Sequence, residues 1–305
     1  MRYTVVLTAE FPAITTSLLS PHFDVIAHPT EHDRSEDDVI TMLAEADAAI
    51  VLLSDPITRR VLAANPNLRI VSNFAVGYNN IDLDAARELG VTVTNTPGVL
   101  TEATADLTMA LLLAVTRRIV ESDAALRETG RSEWEPLAFL GASLQGKRLG
   151  ILGMGRIGTA VAARARAFGL EIIGVRRGDS LDELLATSDI VSLHVPLSRE
   201  THHLIDAQAL AKMKPSAYLI NTSRGSLVDE DALCDALERG QLRGAGLDVY
   251  EHEPRVNSRL LPMQNVVLLP HIGSATEEAR NAMGRIAATN VLLFLGGAEP
   301  LHRVV

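Results

Sequence analysis

The chain has 305 residues, enough for two domains at roughly 100–200 residues each, and its 47% hydrophobic and 22% charged residues make an ordinary globular mixture. With 28 Lys and Arg against 38 Asp and Glu the formal charge is −10, which repels nucleic acid and anionic membranes and sets both aside as partners. Cys234 is the single cysteine, so no intrachain disulfide forms. The N-terminus MRYTVVLTAEF enters a strand pattern without a signal-peptide core, and the apolar run Met109–Val115 in DLTMALLLAVTRR is far short of the ~18 residues that span a bilayer. A cytoplasmic protein is expected.

In chain order, YTVVLT, FDVIAH, AAIVLLS, LRIVSNF and VTVTN are short runs rich in β-branched residues. They alternate with helical patterns such as SEDDVITMLAEAD and DLDAARELG, which predicts crossover units and a parallel sheet. Thr96-Pro97-Gly98 is a turn signal, and one long helix is expected from about Thr101 into the 120s. A polar loop, RETGRSEWEPLAFLGASLQG, follows.

At Lys147 a second series begins. KRLGILG, LEIIGVR, DIVSLHV, AYLINTS, GAGLDVY and NVVLLPH read as strands. RIGTAVAARARAF, DAQALAKM and DEDALCDALERG read as helices, and Ser180-Leu181-Asp182-Glu183 has capping-box spacing for another. SATEEARNAMGRIAATNVLLFL is the last helix. The second series has its own glycine-rich turn, which favours two sheets over one large one.

That turn is Gly153-Met154-Gly155-Arg156-Ile157-Gly158, between a strand and a helix. Gly153 permits the tight turn, Gly155 lets the backbone approach a pyrophosphate, and Gly158 lets helix and strand pack closely. Phosphates would meet the N–H groups at the start of the helix, at Arg156 and Ile157. The residue that would select NAD stands roughly 20 positions past the glycines. Here that place holds Arg176, followed by Arg177. A carboxylate there holds the ribose 2′-hydroxyl, whereas a guanidinium offers a fork of donors suited to a 2′-phosphate. NADP is therefore expected over NAD; the alternative is a solvated basic edge partly neutralised by Asp179.

Three more residues stand at the carboxyl ends of strands, where open parallel sheets bind ligands: Arg224, Glu253 and His271. An arginine can hold a carboxylate bidentately. A histidine can give a proton to the alkoxide formed when hydride arrives, and a carboxylate beside it favours the protonated ring and fixes it. Each residue alone could be a turn or loop group; together with a dinucleotide turn they read as a site that reduces a 2-keto acid. His202-His203 lies in a polar loop, and no His, Cys and carboxylate set has zinc-site spacing.

The segments NFAVGYNNIDLDAA, NTPGVLTEATADL, LGILGMGRIG, LINTSRGSLVDEDAL, GAGLDVYEHEP and LLPHIGSAT resemble the D-isomer-specific 2-hydroxyacid dehydrogenase family over nearly the whole chain. VRR and the SEWEP loop resemble the NADPH-dependent glyoxylate/hydroxypyruvate reductases within it. The resemblance implies an α/β fold of two doubly wound parallel-sheet domains, a flavodoxin-like substrate domain and a Rossmann cofactor domain, with a cleft between. The substrate domain would take residues 1–98 and 275–305, and the cofactor domain 99–274.

The same resemblance implies Arg224, Glu253 and His271 as the catalytic set and the amides of Val76 and Gly77 as a carboxylate cradle. It implies Thr104, Thr222, Asp248 and Gly273 as cofactor contacts, and Val195 and Pro196 as the adenine wall. It implies a homodimer, in which Trp134 either enters the partner's substrate site or anchors the dimer seam. The expected activity is NADPH-dependent reduction of glyoxylate or hydroxypyruvate to a D-2-hydroxy acid. Alternatives are a 2-ketogluconate reductase, an NAD-dependent D-2-hydroxyacid dehydrogenase, and a dinucleotide-sensing co-repressor-like binding protein. Glu253 stands where formate dehydrogenases carry an amide, and the chain's end at FLGGAEPLHRVV leaves no room for the regulatory domain of many phosphoglycerate dehydrogenases.

Overall fold

The computed structural model describes every residue except Met1, His32, Glu133 and Arg177. The chain divides into two compact units, Met1–Leu100 with Ala275–Val305, and Thr101–Ser274.

In the first unit β1 (Thr4–Leu7), β2 (Asp24–Ala27), β3 (Ala48–Val51), β4 (Ile70–Asn73) and β5 (Thr92–Thr94) alternate with α1 (Ala13–Leu19), α2 (Glu36–Leu43), α3 (Arg59–Ala64) and α4 (Leu83–Leu89). The sheet is wholly parallel in the order β2-β1-β3-β4-β5. That is the flavodoxin-like order, with its switch point between β1 and β3. The helices start where short polar side chains meet orphan amides. Ser35 and Asp38 form a reciprocal capping box on α2, and Thr58 and Asp82 cap α3 and α4.

Central strands β3 and β4 are buried along their whole length. Val6, Ala49, Val51 and Val71 pack against Val39, Leu43, Val61, Leu62, Ala85 and Ala86 of α2, α3 and α4. A C-terminal helix, Glu277–Leu295, packs on α1 and β4 and so closes the unit's core.

The second unit opens with α5 (Thr101–Thr116) and α6 (Ile119–Thr129). The strands β6 (Arg148–Leu152), β7 (Glu171–Val175), β8 (Ile190–Leu193), β9 (Tyr218–Asn221), β10 (Gly244–Leu247) and β11 (Val266–Leu268) follow, with α7 (Arg156–Ala167), α8 (Leu181–Thr187), α9 (Ala207–Lys212) and α10 (Glu230–Glu238) among them. The Glu277–Leu295 helix is α11. The sheet is again parallel, in the order β11-β10-β9-β8-β6-β7.

Alternate strand residues feed two cores. Leu149, Ile151, Ile190 and Ile220 face α5 and α7, whereas Leu152, Val191, Leu193 and Leu219 face α8, α9 and α10. The direction of winding changes between β6 and β8, so a crevice opens at their carboxyl ends.

Two local expectations are corrected. The long helix is interrupted at Arg118, which adopts φ 53° in the left-handed region. The Thr116 carbonyl, which would have continued the helix, accepts instead from the Ala142 amide at 2.8 Å, and Arg118 folds back onto Glu121 at 2.7 Å. Ser180 does occupy the N-cap of α8, but its side chain makes no capping hydrogen bond.

Candidate active site

The glycine-rich turn joins β6 to α7 at the point where the winding reverses. Gly153 has φ 97°, and a Cβ there would stand 2.5 Å from the His194 carbonyl oxygen. A Cβ on Gly158 would stand 2.1 Å from the Gly153 carbonyl oxygen, so no side chain fits at either position. Gly155 differs: a Cβ built on it meets nothing within 4 Å. It is the N-cap of α7 and supplies no side-chain hydrogen bond, so the cap leaves the first amides of the helix, at Arg156 and Ile157, without a side-chain acceptor. These features suit the pyrophosphate of a dinucleotide, bound by backbone N–H groups and the positive helix end.

Val195 and Pro196 follow β8 beside this turn; Val195 is half-buried and Pro196 exposed. The Val195 carbonyl accepts from the Ser223 hydroxyl at 2.7 Å, which ties this loop to the end of β9. His194 hydrogen-bonds the Ser192 hydroxyl through Nε2 at 2.8 Å, and burial pulls its imidazole down to about 4, so the ring is neutral near pH 7.

Arg176 follows β7 and is exposed. Asp179 turns its carboxylate onto the Arg176 backbone amide at 2.7 Å, making a short turn there. Arg177 lies outside the described residues.

Thr104, Thr108 and Thr222 are buried together. The Thr108 hydroxyl lies 2.9 Å from that of Thr222 and donates to the Thr104 carbonyl at 2.8 Å. Asp248, at the end of β10, is fully buried and accepts from the amides of Ile272 and Gly273 at 2.7 and 2.8 Å. Burial pushes its carboxyl above the ordinary range, against the pull of those two amides and of His271. A Cβ on Gly273 would lie 3.2 Å from the Asp248 carboxylate and 3.6 Å from the Thr104 side chain, so these residues share one wall.

This wall sets the backbone of His271. The residue has φ 55°, a conformation rare for an L side chain, and the two amides that follow it are both held by Asp248. Its Nδ1 lies 2.8 Å from Glu253 Oε2. The other Glu253 oxygen accepts from the Tyr250 amide at 3.0 Å, and the Tyr250 hydroxyl donates to the Leu269 carbonyl at 2.8 Å. Histidine and carboxylate therefore sit on two turns that are themselves tied together, at the ends of adjacent strands.

Arg224 follows β9 and caps the 3₁₀ turn Gly225–Leu227. Asn221 holds the Arg224 carbonyl at 2.8 Å and orients the Ser223 amide at 3.1 Å. Burial pulls the Arg224 guanidinium below its usual value while Glu253 works the other way; an arginine stays charged under such a shift.

Val76 and Gly77 belong to the first unit. Their carbonyls accept from the side chains of Asn95 and Asn73 at 2.8 and 2.7 Å, and the Ala75 carbonyl accepts from the Thr96 amide at 2.9 Å. Among the described residues the amides of Val76 and Gly77 have no hydrogen-bond acceptor. With the Ala75, Val76 and Gly77 carbonyls engaged, those two N–H groups are available donors. Trp134 lies in the loop between α6 and β6 and is 86% exposed.

Sequence reading missed the supports: Asn73 and Asn95 behind the cradle, Asn221 behind Arg224, Thr108 behind Thr222. All four lie in segments already singled out, but their side-chain partners are set by tertiary contact. It also passed over His202 and His203, which the fold brings to Glu251.

A doubly wound unit with a phosphate-accepting glycine turn, and a His–Glu pair with an arginine at its strand ends, defines a dinucleotide-dependent oxidoreductase. The profile of the "D-isomer specific 2-hydroxyacid dehydrogenase, NAD binding domain" matches residues 109–273. A glyoxylate reductase of Thermococcus litoralis is 45% identical over 100% of this chain and 97% of its own length. A protein of Thermus thermophilus superposes with TM-score 0.93 at 43% identity, over 99% of this chain and all of the other. An NADPH-dependent glyoxylate/hydroxypyruvate reductase of Sinorhizobium meliloti, solved with NADP and malonate, gives TM-score 0.87 at 33% identity over 100% and 97% of the two chains. The chain belongs to the D-isomer-specific 2-hydroxyacid dehydrogenase family and is an NAD(P)-dependent enzyme acting on the CH–OH group of 2-hydroxy acids. Among the described residues no helix is long and apolar enough to cross a membrane.

Proposed function

We propose that this enzyme reduces small 2-keto acids, glyoxylate and hydroxypyruvate, to D-2-hydroxy acids with NADPH, in the cytoplasm. The observation that carries the reading is the 2.8 Å pairing of His271 with Glu253 at the carboxyl ends of strands in the same sheet as the dinucleotide turn.

The cofactor, once bound, supplies the hydride. His271 shows Nδ1 to Glu253, which leaves Nε2 to give a proton to the keto oxygen as that oxygen gains charge. Glu253 accepts from Nδ1 and holds the ring plane. Arg224 is assigned to the substrate carboxylate and to polarising the neighbouring carbonyl. In the first unit, the amides of Val76 and Gly77 are assigned as carboxylate donors, the role of a substrate domain. In the second, Gly153, Gly155, Arg156, Ile157 and Gly158 would hold the pyrophosphate. Val195 and Pro196 would wall the adenine, and Thr104, Thr222, Asp248 and Gly273 would contact the rest of the cofactor. Arg176 is assigned to the 2′-phosphate, since its guanidinium is exposed and Asp179 is spent on its backbone. The 33% identical reductase solved with NADP supports that choice of cofactor.

A homodimer is part of the proposal. Helix α6 buries none of its eleven residues and exposes Ile119, Val120 and Leu126. Phe139, Leu140 and Leu261 are exposed beside it, around a groove of about 1140 Å³. A second copy covering this apolar face would bring the Trp134 loop to the seam.

The test is kcat/KM for glyoxylate and hydroxypyruvate with NADPH and with NADH, and the chirality of the product. Strong NADPH preference with a D product supports the reading. Preference for NADH removes Arg176 from it, and turnover confined to bulkier 2-ketoaldonates replaces the substrate.

A further inference from the structure

We propose that His202, His203 and Glu251 form a surface site for a divalent transition-metal ion of the zinc, copper or nickel kind. One nitrogen from each histidine and one carboxylate oxygen all lie within 4.8 Å of one another. None of the three belongs to the Arg224, Glu253 and His271 set, so occupancy can be measured without turnover.

Adjacent residues in a chain ordinarily point apart. Here His203 takes φ 50°, and that left-handed turn brings both rings to one side, stacked with centroids 4.0 Å apart. The turn is pinned by the His203 amide, which donates to the Ser226 carbonyl at 2.9 Å.

Glu251 comes from the turn after β10. Its Oε1 lies 2.6 Å from His203 Nε2, while its Oε2 accepts from the Glu230 amide at 3.3 Å. In return the Glu251 amide donates to Glu230 Oε1 at 2.6 Å. The carboxylate is thus fixed from behind with one oxygen aimed at the histidines, the outer support that metal ligands ordinarily have.

The donor set decides the metal. Two imidazole nitrogens and one carboxylate oxygen suit zinc, copper and nickel, whereas magnesium and calcium favour all-oxygen sets. Ligand atoms on a tetrahedral ion at about 2.0–2.1 Å stand roughly 3.3 Å apart. The present spread closes by rotation of the exposed His202 side chain. On binding, the metal takes the place of the hydrogen bond between His203 Nε2 and Glu251 Oε1, the neutral His203 ring keeps its one proton on Nδ1, and water completes the open side.

The experiment is calorimetric titration of the untagged, chelator-stripped full chain with zinc chloride, nickel chloride and, separately, magnesium chloride. Saturable zinc binding at one ion per chain, with no magnesium binding, is expected. His202→Ala, on an exposed side chain and so without effect on folding by circular dichroism, weakens zinc at least about tenfold. Glu251→Gln does the same, and should it misfold, His202→Ala carries the test alone. Absence of stoichiometric zinc binding, or an affinity unchanged in His202→Ala, overturns the site and leaves a hydrogen bond that only ties two turns together.

Discussion

His271 Nδ1 and Glu253 Oε2 meet at 2.8 Å although the residues are 18 positions apart. The meeting is a consequence of the sheet. β10 and β11 are adjacent and parallel, so the turns that follow them leave the same edge side by side. Tyr250 then locks one turn to the other through the Leu269 carbonyl. Asp248, one strand-end earlier, holds the two amides that follow His271. An imidazole placed this way is held by backbone rather than by its own side-chain packing, which is how a half-exposed ring keeps one orientation.

The pair predicts a graded loss. His271→Ala removes the proposed proton donor and should lower kcat by about 10²- to 10⁴-fold. Glu253→Gln keeps the ring's neighbour but not its charge. Hydrogen bonds to charged groups contribute about 1.5–3 kcal/mol, so kcat should fall on the order of 10- to 100-fold. Steady-state rates with glyoxylate and NADPH check both, and a Glu253→Gln enzyme with unchanged kcat would take the carboxylate out of the mechanism.

Arg176→Asp tests the cofactor assignment with little risk to folding, because the side chain is exposed. Loss of a charge-assisted contact worth about 1.5–3 kcal/mol should cost NADPH roughly 10- to 100-fold in kcat/KM. The new carboxylate should improve NADH by accepting from the 2′-hydroxyl. Equal effects on the two cofactors would show that the arginine contributes general charge and does not read the phosphate.

Both sheets were legible because most of their strands are short, largely apolar runs, as the strands buried on both faces must be. The glycine turn was legible because much of its constraint is local: Gly153 has φ 97°, and a Cβ on Gly158 would meet the Gly153 carbonyl five positions earlier. The break between α5 and α6 was not. Thr116-Arg117-Arg118-Ile119 carries no glycine or proline, and the helix ends there because a distant amide, that of Ala142, takes the Thr116 carbonyl. The same reason hid the His202, His203 and Glu251 group. Glu251 stands 48 positions beyond His203, the second of the adjacent histidines, and the set fits no local metal spacing, so only the crossing of two loops reveals it.

His194 gives the fold a defined acid sensitivity. Burial lowers its imidazole from 6.5 to about 4. Between those values the unfolded chain binds a proton that the folded chain refuses, so stability falls as pH drops through that window and is fully present above it. At about 1.4 kcal/mol per unit, the contribution lost between pH 7 and 4.5 is about 2–3 kcal/mol. His194→Gln, which can still bond Ser192, should lose that much less over the same range. Urea unfolding of both proteins at the two pH values measures the difference, and parallel losses would mean that the ring accepts its proton inside the fold.

The apolar face of α6 makes a prediction about assembly that does not depend on catalysis. Ile119 and Leu126 lie seven positions apart, hence on one face of the helix, and are 50% and 49% exposed. A helix that buries nothing in its own chain has no reason to present two such side chains to water unless another surface covers them. Replacing both with glutamate adds charge to that face while leaving the cores on the two sides of the sheet untouched. Light scattering should report a dimer for the native chain and a monomer for Ile119→Glu/Leu126→Glu, with unchanged far-ultraviolet circular dichroism. A variant that stays dimeric would move the interface elsewhere. If the monomer also loses kcat while cofactor affinity holds, the Trp134 loop contributes to the partner's substrate site; if kcat survives, Trp134 belongs to the seam alone.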